Sequence, residues 1–442
     1  MNAQENELIT RVDPGAPAGE LLRRFWQPAA LTEQLQGERP LQPVTLLGEE
    51  FVLFRDERGE YGLMERHCPH RGADLCYGRL EDGGLRCPFH GWLFDVAGRC
   101  LEQPAEPAGS RLYQHTRNRA YPCIERNGII FAYLGPGAAP PLPEFDCFAA
   151  PRAQTFAFKG LWECNWLQAL EVGIDPAHAS FLHRFFEDEA IETAYGKQFR
   201  AAAADTALPL TKILREYARP RISVGNTDYG LRLVTTRVLD AARTHYRVTN
   251  LVFPNAIAIP MSDEMTITQW HVPIDNGSCY WYAIFTSFGA PVDQATMRAQ
   301  RLQQHTLPDY RPKVNRAGDW GFDAAEQRGK TYTGMGFDIN VHDQWAVESQ
   351  GRIQDRTREH LATSDIAISA NRRLLKRAIR ELQAERPVPF VSQASDAAPL
   401  RGPVAIDAIG GEPDCWRRRD GARRRASGWA PDPWQFSQAE EG

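Results

Sequence analysis

Several features that would place this chain in other protein classes are missing. No run of 18 apolar residues occurs, which argues against a membrane-spanning helix. The 51 basic and 56 acidic side chains leave a net charge of −5, so no nucleic-acid partner is indicated. The acidic N-terminus is unlike a secretory signal. The sequence also has no flavin- or nicotinamide-binding fingerprint and no internal repeat.

Cysteine is scarce and odd in number, with nine residues in 442. A disulfide framework is therefore not indicated, and we expect a reducing, cytoplasmic compartment. Hydrophobic residues make up 43% of the chain, enough for sizeable cores. The length exceeds that of a usual single domain and predicts at least two.

Two of the cysteines belong to a metal-ligand pattern. Cys68-Pro-His70 is followed, after sixteen residues, by Cys87-Pro-Phe-His90. This set suits a [2Fe–2S] cluster in which one iron carries two cysteines and the other two histidines, which raises the reduction potential. Structural zinc is the alternative, but such zinc sites usually begin with two cysteines separated by two to four residues. We interpret Cys76, between the half-sites, as a small buried thiol.

A second metal-ligand pattern is Asp175-x2-His178-x4-His183. Two neutral imidazoles and one carboxylate on one face of an iron leave positions open for dioxygen and substrate. His183 lies about 140° round an ideal helix from His178, so both can bind one metal only if the helix is distorted or ends between them. A buried helix with two hydrogen-bonded histidines is the alternative, and the upstream cluster pattern favours a metal.

The carboxylate ligand is expected far along the chain, at Asp365. This residue opens an amphipathic helix that is predicted over residues 365–385. An aspartate near a helix start is often only an N-cap. Ser364 can take the capping role instead and leave Asp365 for the metal.

These segments, in this order, resemble the large (α) subunits of Rieske non-haem iron oxygenases, particularly the phthalate and phenoxybenzoate dioxygenase group. The resemblance covers roughly residues 5–385. The matching segments are Cys-Pro-His-Arg-Gly-Ala-Asp (68–74), Cys-Pro-Phe-His-Gly-Trp (87–92), Glu-Cys-Asn-Trp-Leu-Gln-Ala-Leu-Glu (163–171) and Glu-Ser-Gln-Gly-Arg-Ile-Gln-Asp-Arg-Thr (348–357).

The resemblance implies a role for each matching residue. The implied ligands are Cys68, His70, Cys87 and His90 for the Rieske [2Fe–2S] cluster and His178, His183 and Asp365 for a mononuclear Fe(II). Asp175 matches the aspartate that connects the cluster of one subunit to the iron of its neighbour. The implied assembly is a ring, a homotrimer or a multiple of it.

The resemblance further implies the terminal oxygenase component of a multicomponent enzyme in aromatic catabolism. Electrons would come from an NAD(P)H-dependent flavin and iron–sulfur reductase. The expected reaction is hydroxylation of an aromatic, carboxylate-bearing substrate, with cis-dihydroxylation first and monooxygenation (O-demethylation or aryl-ether cleavage) as the alternative. Two other classes stay open: a Rieske-type electron carrier, which needs only residues 40–135, and a zinc hydrolase built on the second pattern.

An α+β fold is predicted, in which an all-β cluster domain precedes a catalytic domain whose large antiparallel sheet is covered by helices (helix-grip, START-like). The expected limits are 1–40 for a helical arm, 41–136 for the cluster domain, 137–160 for a linker, 161–390 for the catalytic domain and 391–442 for a tail. Predicted strands are 229–239, 244–253, 264–274 and 279–288, and predicted helices are 161–185, 293–306 and 365–385. Residues 201–208 and 309–335 are expected to form loops at the pocket mouth.

Arginines on the predicted strands could bind a substrate carboxylate. The candidates are Arg232, Arg237, Arg243 and Arg247, although alternate residues of a strand face opposite sides and most are expected at the surface. Pro176-Ala177 stands where the phthalate enzymes carry hydroxyl residues, so one polar substrate contact is expected to be missing. The basic tail is interpreted as solvated or as embracing a neighbouring subunit, with docking of an acidic electron donor as the alternative.

Overall fold

The computed structural model describes residues 1–187, 210–391 and 400–434. Helix α1 (Ala3–Thr10) begins with a capping box in which Asn2 and Glu5 each bond the other's backbone N–H, and α2 spans Pro17–Leu22. Strand β1 (Gln27–Leu31) then pairs with Ile129–Ala132. The predicted helical arm is therefore only partly correct, because prolines at 14 and 17 interrupt the first helix and the last part of the arm joins a sheet.

The cluster domain is all-β, as predicted. Two four-stranded antiparallel sheets, in the orders β2-β3-β4-β9 and β5-β6-β7-β8, lie beside the three-stranded sheet β1-β11-β10. The strands are β2 (Leu41–Leu46), β3 (Glu49–Arg55), β4 (Tyr61–Glu65), β5 (Arg79–Glu81), β6 (Gly84–Arg86), β7 (Leu93–Phe94), β8 (Cys100–Glu102), β9 (Ala120–Tyr121), β10 (Cys123–Arg126) and β11 (Ile129–Ala132).

The catalytic domain is built on a large antiparallel sheet of order β13-β19-β18-β17-β16-β15-β14. Its strands are β13 (Thr155–Trp162), β14 (Arg221–Thr227), β15 (Gly230–Val238), β16 (Thr244–Val252), β17 (Ala256–Pro260), β18 (Met265–Asp275) and β19 (Ser278–Ser287), and short strands β12 (Glu144–Phe145), β20 (His305–Thr306) and β21 (Arg311–Pro312) lie outside it. The four predicted strands fall within one or two residues of β15, β16, β18 and β19. The predicted α+β class is confirmed.

Helices cover this sheet. They are α3 (Asp146–Ala149), α4 (Trp166–Gly173), α5 (Leu210–Glu216), α6 (Gln294–Gln304), α7 (Ala324–Gly329), α8 (Ile339–Glu348) and α9 (Ile366–Gln383). Two predicted helices are confirmed as α6 and α9. The region 309–335 is less loop-like than predicted, since it holds α7 and a 3-10 segment at Arg316–Gly321, and the prediction for 201–208 lies outside the described residues.

The predicted helix at 161–185 is wrong in extent. Strand β13 continues to Trp162, helix α4 ends at Gly173, and a 3-10 turn follows at His178–Ser180. The physical reason is that Pro176 cannot donate a helical hydrogen bond and disfavours helical geometry in the residue before it. The break separates Asp175 and both histidines from the regular helix.

The described part of the C-terminal region is not the solvated tail that was one of its two interpretations. After the short strand β22 (Arg401–Gly402), strand β23 (Ile406–Gly410) pairs antiparallel with β16, and α10 (Cys415–Ser427) packs behind it. Arg424 is buried and pairs with Asp146 and Asp420. Buried carboxylates thus neutralise part of the basic run, which belongs to the fold. Among the described helices, none is long and apolar enough to cross a membrane.

Candidate metal centres

The first candidate centre is formed by two loops, between β4 and β5 and between β6 and β7. The thiols of Cys68 and Cys87 are buried and adjacent, and burial raises the pKa of Cys68 to about 11, with Cys87 adding to the shift. The imidazoles of His70 and His90 lie further out, with ring centroids 4.5 Å apart. The structure therefore brings together the four residues that the sequence pattern singles out.

The two loops have the same backbone geometry. In each, the cysteine carbonyl accepts a hydrogen bond from the glycine four residues on, Gly72 or Gly91, at 2.8 and 3.0 Å. Both glycines have φ near +77°, a conformation that side-chain-bearing residues rarely adopt. Each half of the motif therefore forms the same type of tight turn, closed by the glycine four residues after the cysteine.

The histidines of these loops fit the role of ligands. His70 stacks on Trp92 with ring centroids 4.3 Å apart, which fixes its orientation. The Nδ1 atom of His90 is buried and has no hydrogen-bond partner among the described residues. A buried nitrogen without a partner is costly in a protein interior and is expected where a metal accepts its lone pair. The two thiols are buried and the two imidazoles are more exposed. This arrangement matches a [2Fe–2S] cluster in which one iron binds two cysteines and the other binds two histidines.

The second candidate centre consists of His178, His183 and Asp343. Ligand atoms of these three residues all lie within 4.8 Å of one another. Asp343 Oδ1 is 3.2 Å from Nε2 of His183 and 3.8 Å from Nε2 of His178, and it has no hydrogen-bond partner among the described residues. Two imidazoles and one carboxylate form the ligand set of non-haem iron sites with open positions.

Neighbouring groups orient both imidazoles. His178 Nδ1 hydrogen-bonds the backbone carbonyl of Asp175. His183 Nδ1 lies 3.4 Å from His342 Nδ1, and His342 Nε2 lies 2.9 Å from the carbonyl of Gly336. If His342 donates to that carbonyl, its Nδ1 accepts from His183, and each metal-facing Nε2 keeps a free lone pair. Such outer hydrogen bonds fix the tautomer of a metal-binding histidine.

Charge also favours a cation at this centre. Burial alone would raise the pKa of Asp343, but His183 and His178 hold it below its ordinary value. Burial lowers the pKa of His178. A divalent metal at such a site requires an ionised carboxylate and neutral imidazoles, and the directions of the pKa shifts at Asp343 and His178 agree with this.

The structure does not bring Asp365 to this centre. Its carboxylate accepts a hydrogen bond from the backbone N–H of Ala362 at 2.6 Å, at the start of α9. Asp365 thus closes a capping box at the 3-10 turn before α9, without making the N-cap bond to α9 that was its alternative interpretation, and Asp343 on α8 stands with the histidines instead. The signal that could have found Asp343 is the run His342-Asp343-Gln344, polar residues within an otherwise apolar segment just before the matched segment 348–357.

Asp175 lies at the entrance to this centre. Its Oδ1 accepts a hydrogen bond from the backbone N–H of Ala177 at 2.8 Å, and its Oδ2 is 3.9 Å from His178 Nδ1. The side chain is about one fifth exposed. A carboxylate in this position can receive a further donor from outside the chain.

Two cavities meet at the candidate iron centre and share Val172, Asp175 and His178. The inner cavity, of about 180 Å³, also contains His183 and Asp343. The outer cleft, of about 670 Å³, opens on the other side of Asp175. The candidate iron ligands therefore form part of the wall between an enclosed space and an open one.

The inner cavity is apolar, with a few polar groups on the sheet. Its apolar lining includes Trp162, Leu214, Ile257, Ile259 and Met261. The polar lining residues include Arg247, Thr249, Gln269 and His271. His271 is fully buried, its Nδ1 has no partner among the described residues, and burial lowers its pKa to about 3. This imidazole is therefore neutral, and its Nδ1 is available to a ligand.

Of the four candidate arginines, Arg247 lines the inner cavity. It pairs with Asp407 on β23 and donates to the carbonyl of Pro260 at 3.1 Å. Arg237 is buried nearby and hydrogen-bonds the carbonyl of Tyr217.

The other two arginines lie elsewhere. The guanidinium of Arg232 lies beside the rings of Trp416 and Trp434, and Arg243 pairs with Asp240 at an exposed turn. Strand alternation thus places Arg232 on the opposite face of the sheet from Arg237 and Arg247.

Comparison with known proteins gives a consistent result. A family model described as a Rieske [2Fe-2S] domain matches residues 25–122, and one described as LigXa C-terminal domain like matches residues 132–431. The chain is 35% identical to the phthalate 4,5-dioxygenase oxygenase subunit of Pseudomonas putida, over 87% of each chain. It is 32% identical to the 5,5'-dehydrodivanillate O-demethylase oxygenase subunit of a Sphingobium species, over 86% of this chain and 81% of that one. It is 34% identical to the phenoxybenzoate dioxygenase α subunit of Ectopseudomonas oleovorans, over 85% of each chain.

Solved structures with the same fold include NdmA of Pseudomonas putida CBB5, as the QL mutant with theobromine. That chain is 19% identical, with a TM-score of 0.57, and the match covers 86% of this chain and 99% of that one. Dicamba monooxygenase bound to dicamba is 21% identical, with a TM-score of 0.53, over 82% of this chain and 99% of that one. At these identities the likeness extends to the fold alone.

Proposed function

Because the chain belongs to the Rieske non-haem iron oxygenases, we propose that it is a terminal oxygenase component that hydroxylates an aromatic carboxylate. The observation that carries the proposal is the presence of both candidate centres in one chain, with an enclosed apolar cavity at the second. An electron carrier has no use for that cavity, and a zinc hydrolase has no use for a redox cluster. The cluster ligands are Cys68, His70, Cys87 and His90.

We assign the mononuclear iron to His178, His183 and Asp343, with Asp343 in place of Asp365. When bound, the cluster and the iron supply single electrons and activate dioxygen. The chain's own residues bind and orient the substrate. The apolar walls of the inner cavity exclude water and hold a ring, and His271 and Gln269 offer polar contacts at the sheet.

The charge around Arg247 supports a carboxylate on the substrate. Arg247 and Arg237 share one carboxylate, Asp407, which lies within electrostatic reach of both. Arg237 has a buried Nη1 without a hydrogen-bond partner among the described residues. Among the described residues these two guanidinium groups thus share a single carboxylate on the sheet, and a substrate anion in the adjacent cavity would provide a second. Phthalate and phenoxybenzoate, the substrates in two relatives' names, are acids of this kind.

Monooxygenation is the second candidate. A relative of comparable identity is named an O-demethylase, and the same ligand set can serve both reactions. The apolar cavity would accept a methoxy group as readily as an unsubstituted ring edge. The arrangement of the substrate in the cavity, and not the metal ligands, would decide between the two outcomes.

The outer cleft is suited to the cluster end of a second copy of this chain. Its lining includes side chains that are large, apolar and exposed: Phe181, Phe322, Tyr332 and Leu361. Tyr77 and Phe89, in or beside the cluster loops, are exposed as well, by 75% and 54%. Docking would bury both sets and bring a cluster histidine to Asp175, which would then couple the two centres. We propose a ring of this kind, a homotrimer or a multiple of it.

Electrons must come from a partner, which we propose is an NAD(P)H-dependent flavin and iron–sulfur reductase. The arginines of α10 are poor candidates for its docking site. Arg418, Arg419 and Arg425 pair with Asp414, Asp263 and Asp432, and Arg423 and Arg424 are held by Asp420.

The experiment that tests the proposed function uses chemically reduced protein, ¹⁸O₂ and a panel of aromatic acids. Two labelled oxygens in the product establish a dihydroxylating dioxygenase. One labelled oxygen, or loss of a methyl or aryl group, establishes the monooxygenase. Absence of labelled product from all acids, with product from neutral aromatic compounds, would contradict the proposed carboxylate.

A further inference from the structure

A third cavity lies between the N-terminal strands and the catalytic sheet. Its volume is about 420 Å³. One wall comes from β1 and β2, including Pro28, Pro43 and Val44, and the other comes from β18 and β19, including Ile274 and Tyr280. Of the described residues that line it, none lines the inner cavity or the outer cleft.

Lys159, on β13, is a lining residue of this cavity and is only 5% exposed. Its Nζ lies 4.3 Å from the ring centroid of Tyr280, 5.0 Å from that of Tyr310 and 5.2 Å from that of Tyr282. Ring faces attract a cation weakly. The ammonium makes one hydrogen bond, a long one of 3.4 Å to the hydroxyl of Tyr282.

This ammonium has no ion pair among the described residues, although two carboxylates act on it at a distance. Glu33 is already engaged by Arg298 and by the hydroxyl of Tyr310, at 2.7 Å each. Asp309 lies at the exposed rim of the cavity. Burial lowers the pKa of Lys159 to about 7, against the opposing effect of these two carboxylates. A buried cation with spare donors and an adjacent cavity is costly unless an anion occupies that cavity.

We propose that this cavity binds a small organic carboxylate, whose oxygens pair with Lys159 and whose apolar body lies between the prolines of β1 and β2 and the ring of Tyr280. The walls fit this chemistry because they combine a buried cation with proline and tyrosine surfaces. The lining also contains Arg66, which is already paired with Glu50 and Asp74. The ligand would contact both domains. The site is separate from the iron centre, so it does not depend on the proposed reaction.

The charges predict a pH dependence of binding. The groups that face the ammonium are the rings of Tyr280, Tyr282 and Tyr310 and the carboxylates Asp309 and Glu33. Above about pH 7 the amine is neutral in the empty cavity, and binding of an anion must take up a proton. Affinity should then fall about tenfold for each further pH unit.

Equilibrium dialysis of the full-length holoenzyme with radiolabelled benzoate tests the proposal. We expect Lys159→Met to lose one benzoate site per chain, while the matched control Lys330→Met, at an exposed lysine, keeps it. Both variants keep any benzoate site in the inner cavity. The loss of one site in Lys159→Met alone therefore reports on this cavity, whether or not the proposed function is correct. Iron content and the visible absorption of the cluster show that each variant is folded.

A second variant protects the test against misfolding of the first. Thr45→Trp places a large side chain at the exposed mouth of the cavity and leaves Lys159 in place. It should also lose the site. Benzoate binding with unchanged stoichiometry and affinity in both variants would overturn the proposal. Equal affinity at about pH 6.5 and about pH 8.5 would exclude pairing with Lys159.

Discussion

At the scale of single residues, the third iron ligand is the sharpest prediction. We expect Asp343→Asn to lower the iron content from about three to about two per chain, because the mononuclear site loses its carboxylate and the cluster is untouched. Metal analysis together with the visible absorption of the cluster measures this change. The matched control is Asp365→Asn, which should keep all the iron, since Asn keeps an oxygen that can accept from the backbone N–H of Ala362 and the residue is not grouped with the histidines.

The opposite pattern would contradict the assignment. If Asp365→Asn lost one iron and Asp343→Asn kept it, the capping hydrogen bond of Asp365 would not describe its role in the loaded protein. The third ligand of the iron, beside His178 and His183, would then be Asp365.

Asp175 offers a second prediction at this scale. Asn keeps the oxygen that accepts from the backbone N–H of Ala177, so Asp175→Asn should retain both metals and the local fold. It removes the negative charge that would bind a cluster histidine of a neighbouring subunit. Single-turnover measurements should show product formation slowed severely, and an unchanged rate would exclude the bridging role.

The four cluster ligands could be predicted from the sequence because a tight turn holds each pair at a fixed spacing. Cys68 and His70, or Cys87 and His90, lie within one turn each, so the ligand chemistry is visible in the local pattern. Asp343 is far from His183 along the chain, and no local pattern connects the two. The polar run 342–344 marks it as a candidate, and the packing of α8 beside the broken helix places it with the histidines.

At the scale of elements, a buried ion-pair network ties α4 to α9. Glu171 on α4 pairs with Arg356 and with Arg372 of α9, at 2.9 and 2.6 Å. Burial alone would raise the pKa of Glu171, but the two guanidinium groups hold it below its ordinary value. A carboxylate with a lowered folded-state pKa stabilises the protein above its unfolded pKa, and this contribution is lost as pH falls through the folded one.

We therefore expect the free energy of unfolding to fall on acidification below about pH 4.5, the ordinary value for glutamate, and Glu171 to cause part of that fall. Glu171→Gln should be less stable at neutral pH, because it leaves the buried Arg356 without its carboxylate and Arg372 with Glu359 alone, a loss of about 3–5 kcal/mol. Its stability should also depend less on pH in the acid range. Urea titrations at several pH values measure both effects.

The control for this prediction is Glu381→Gln, at an ion pair on the surface. It should change the stability by less than about 1 kcal/mol. If Glu171→Gln retained the full acid dependence, other carboxylates would account for it.

Strands were easier to predict than helices for a physical reason. Runs of β-branched and aromatic residues mark β15, β16, β18 and β19, of which β15 alternates between buried and more exposed residues and the others are buried along most of their length. The segment 161–185 has no proline or glycine before Gly173, so its sequence does not show where β13 ends and α4 begins. Pro176 was visible as a helix breaker, and its effect is to place His178 in a 3-10 turn where it can share a metal with His183.

At the scale of the whole molecule, the exposed rim of the outer cleft predicts an assembly. Tyr332→Asp introduces a charge at a side chain that is 45% exposed in the single chain and would be buried by a neighbour. We expect this variant to dissociate at concentrations where the unmodified protein stays assembled. Sedimentation velocity measures the change, and Val238→Asp, at an exposed apolar residue that does not line the cleft, is the matched control.

Equal sedimentation of both variants and the unmodified protein would show that the rim is not an interface. Dissociation by Val238→Asp alone would place the contact elsewhere.

The order of the motifs predicted the order of the two domains. No motif predicted the contacts between distant parts of the chain. Strand β1 pairs with β11, and β23 pairs with β16, through backbone hydrogen bonds at the edges of sheets. No particular side chain in the sequence marks such a pairing. The expected domain limits stay a prediction for the same reason.

The position of β23 has a consequence for how the protein is made. Domains emerge from the ribosome in order, and the cluster domain can fold and receive its iron and sulfide while later residues are still being added. Arg247 reaches its place on β16 long before Asp407 is synthesised. Until β23 joins the sheet, Arg247 in the wall of the inner cavity lacks its partner Asp407. We therefore expect the catalytic centre to be completed last, in a chain whose electron-accepting half is already folded.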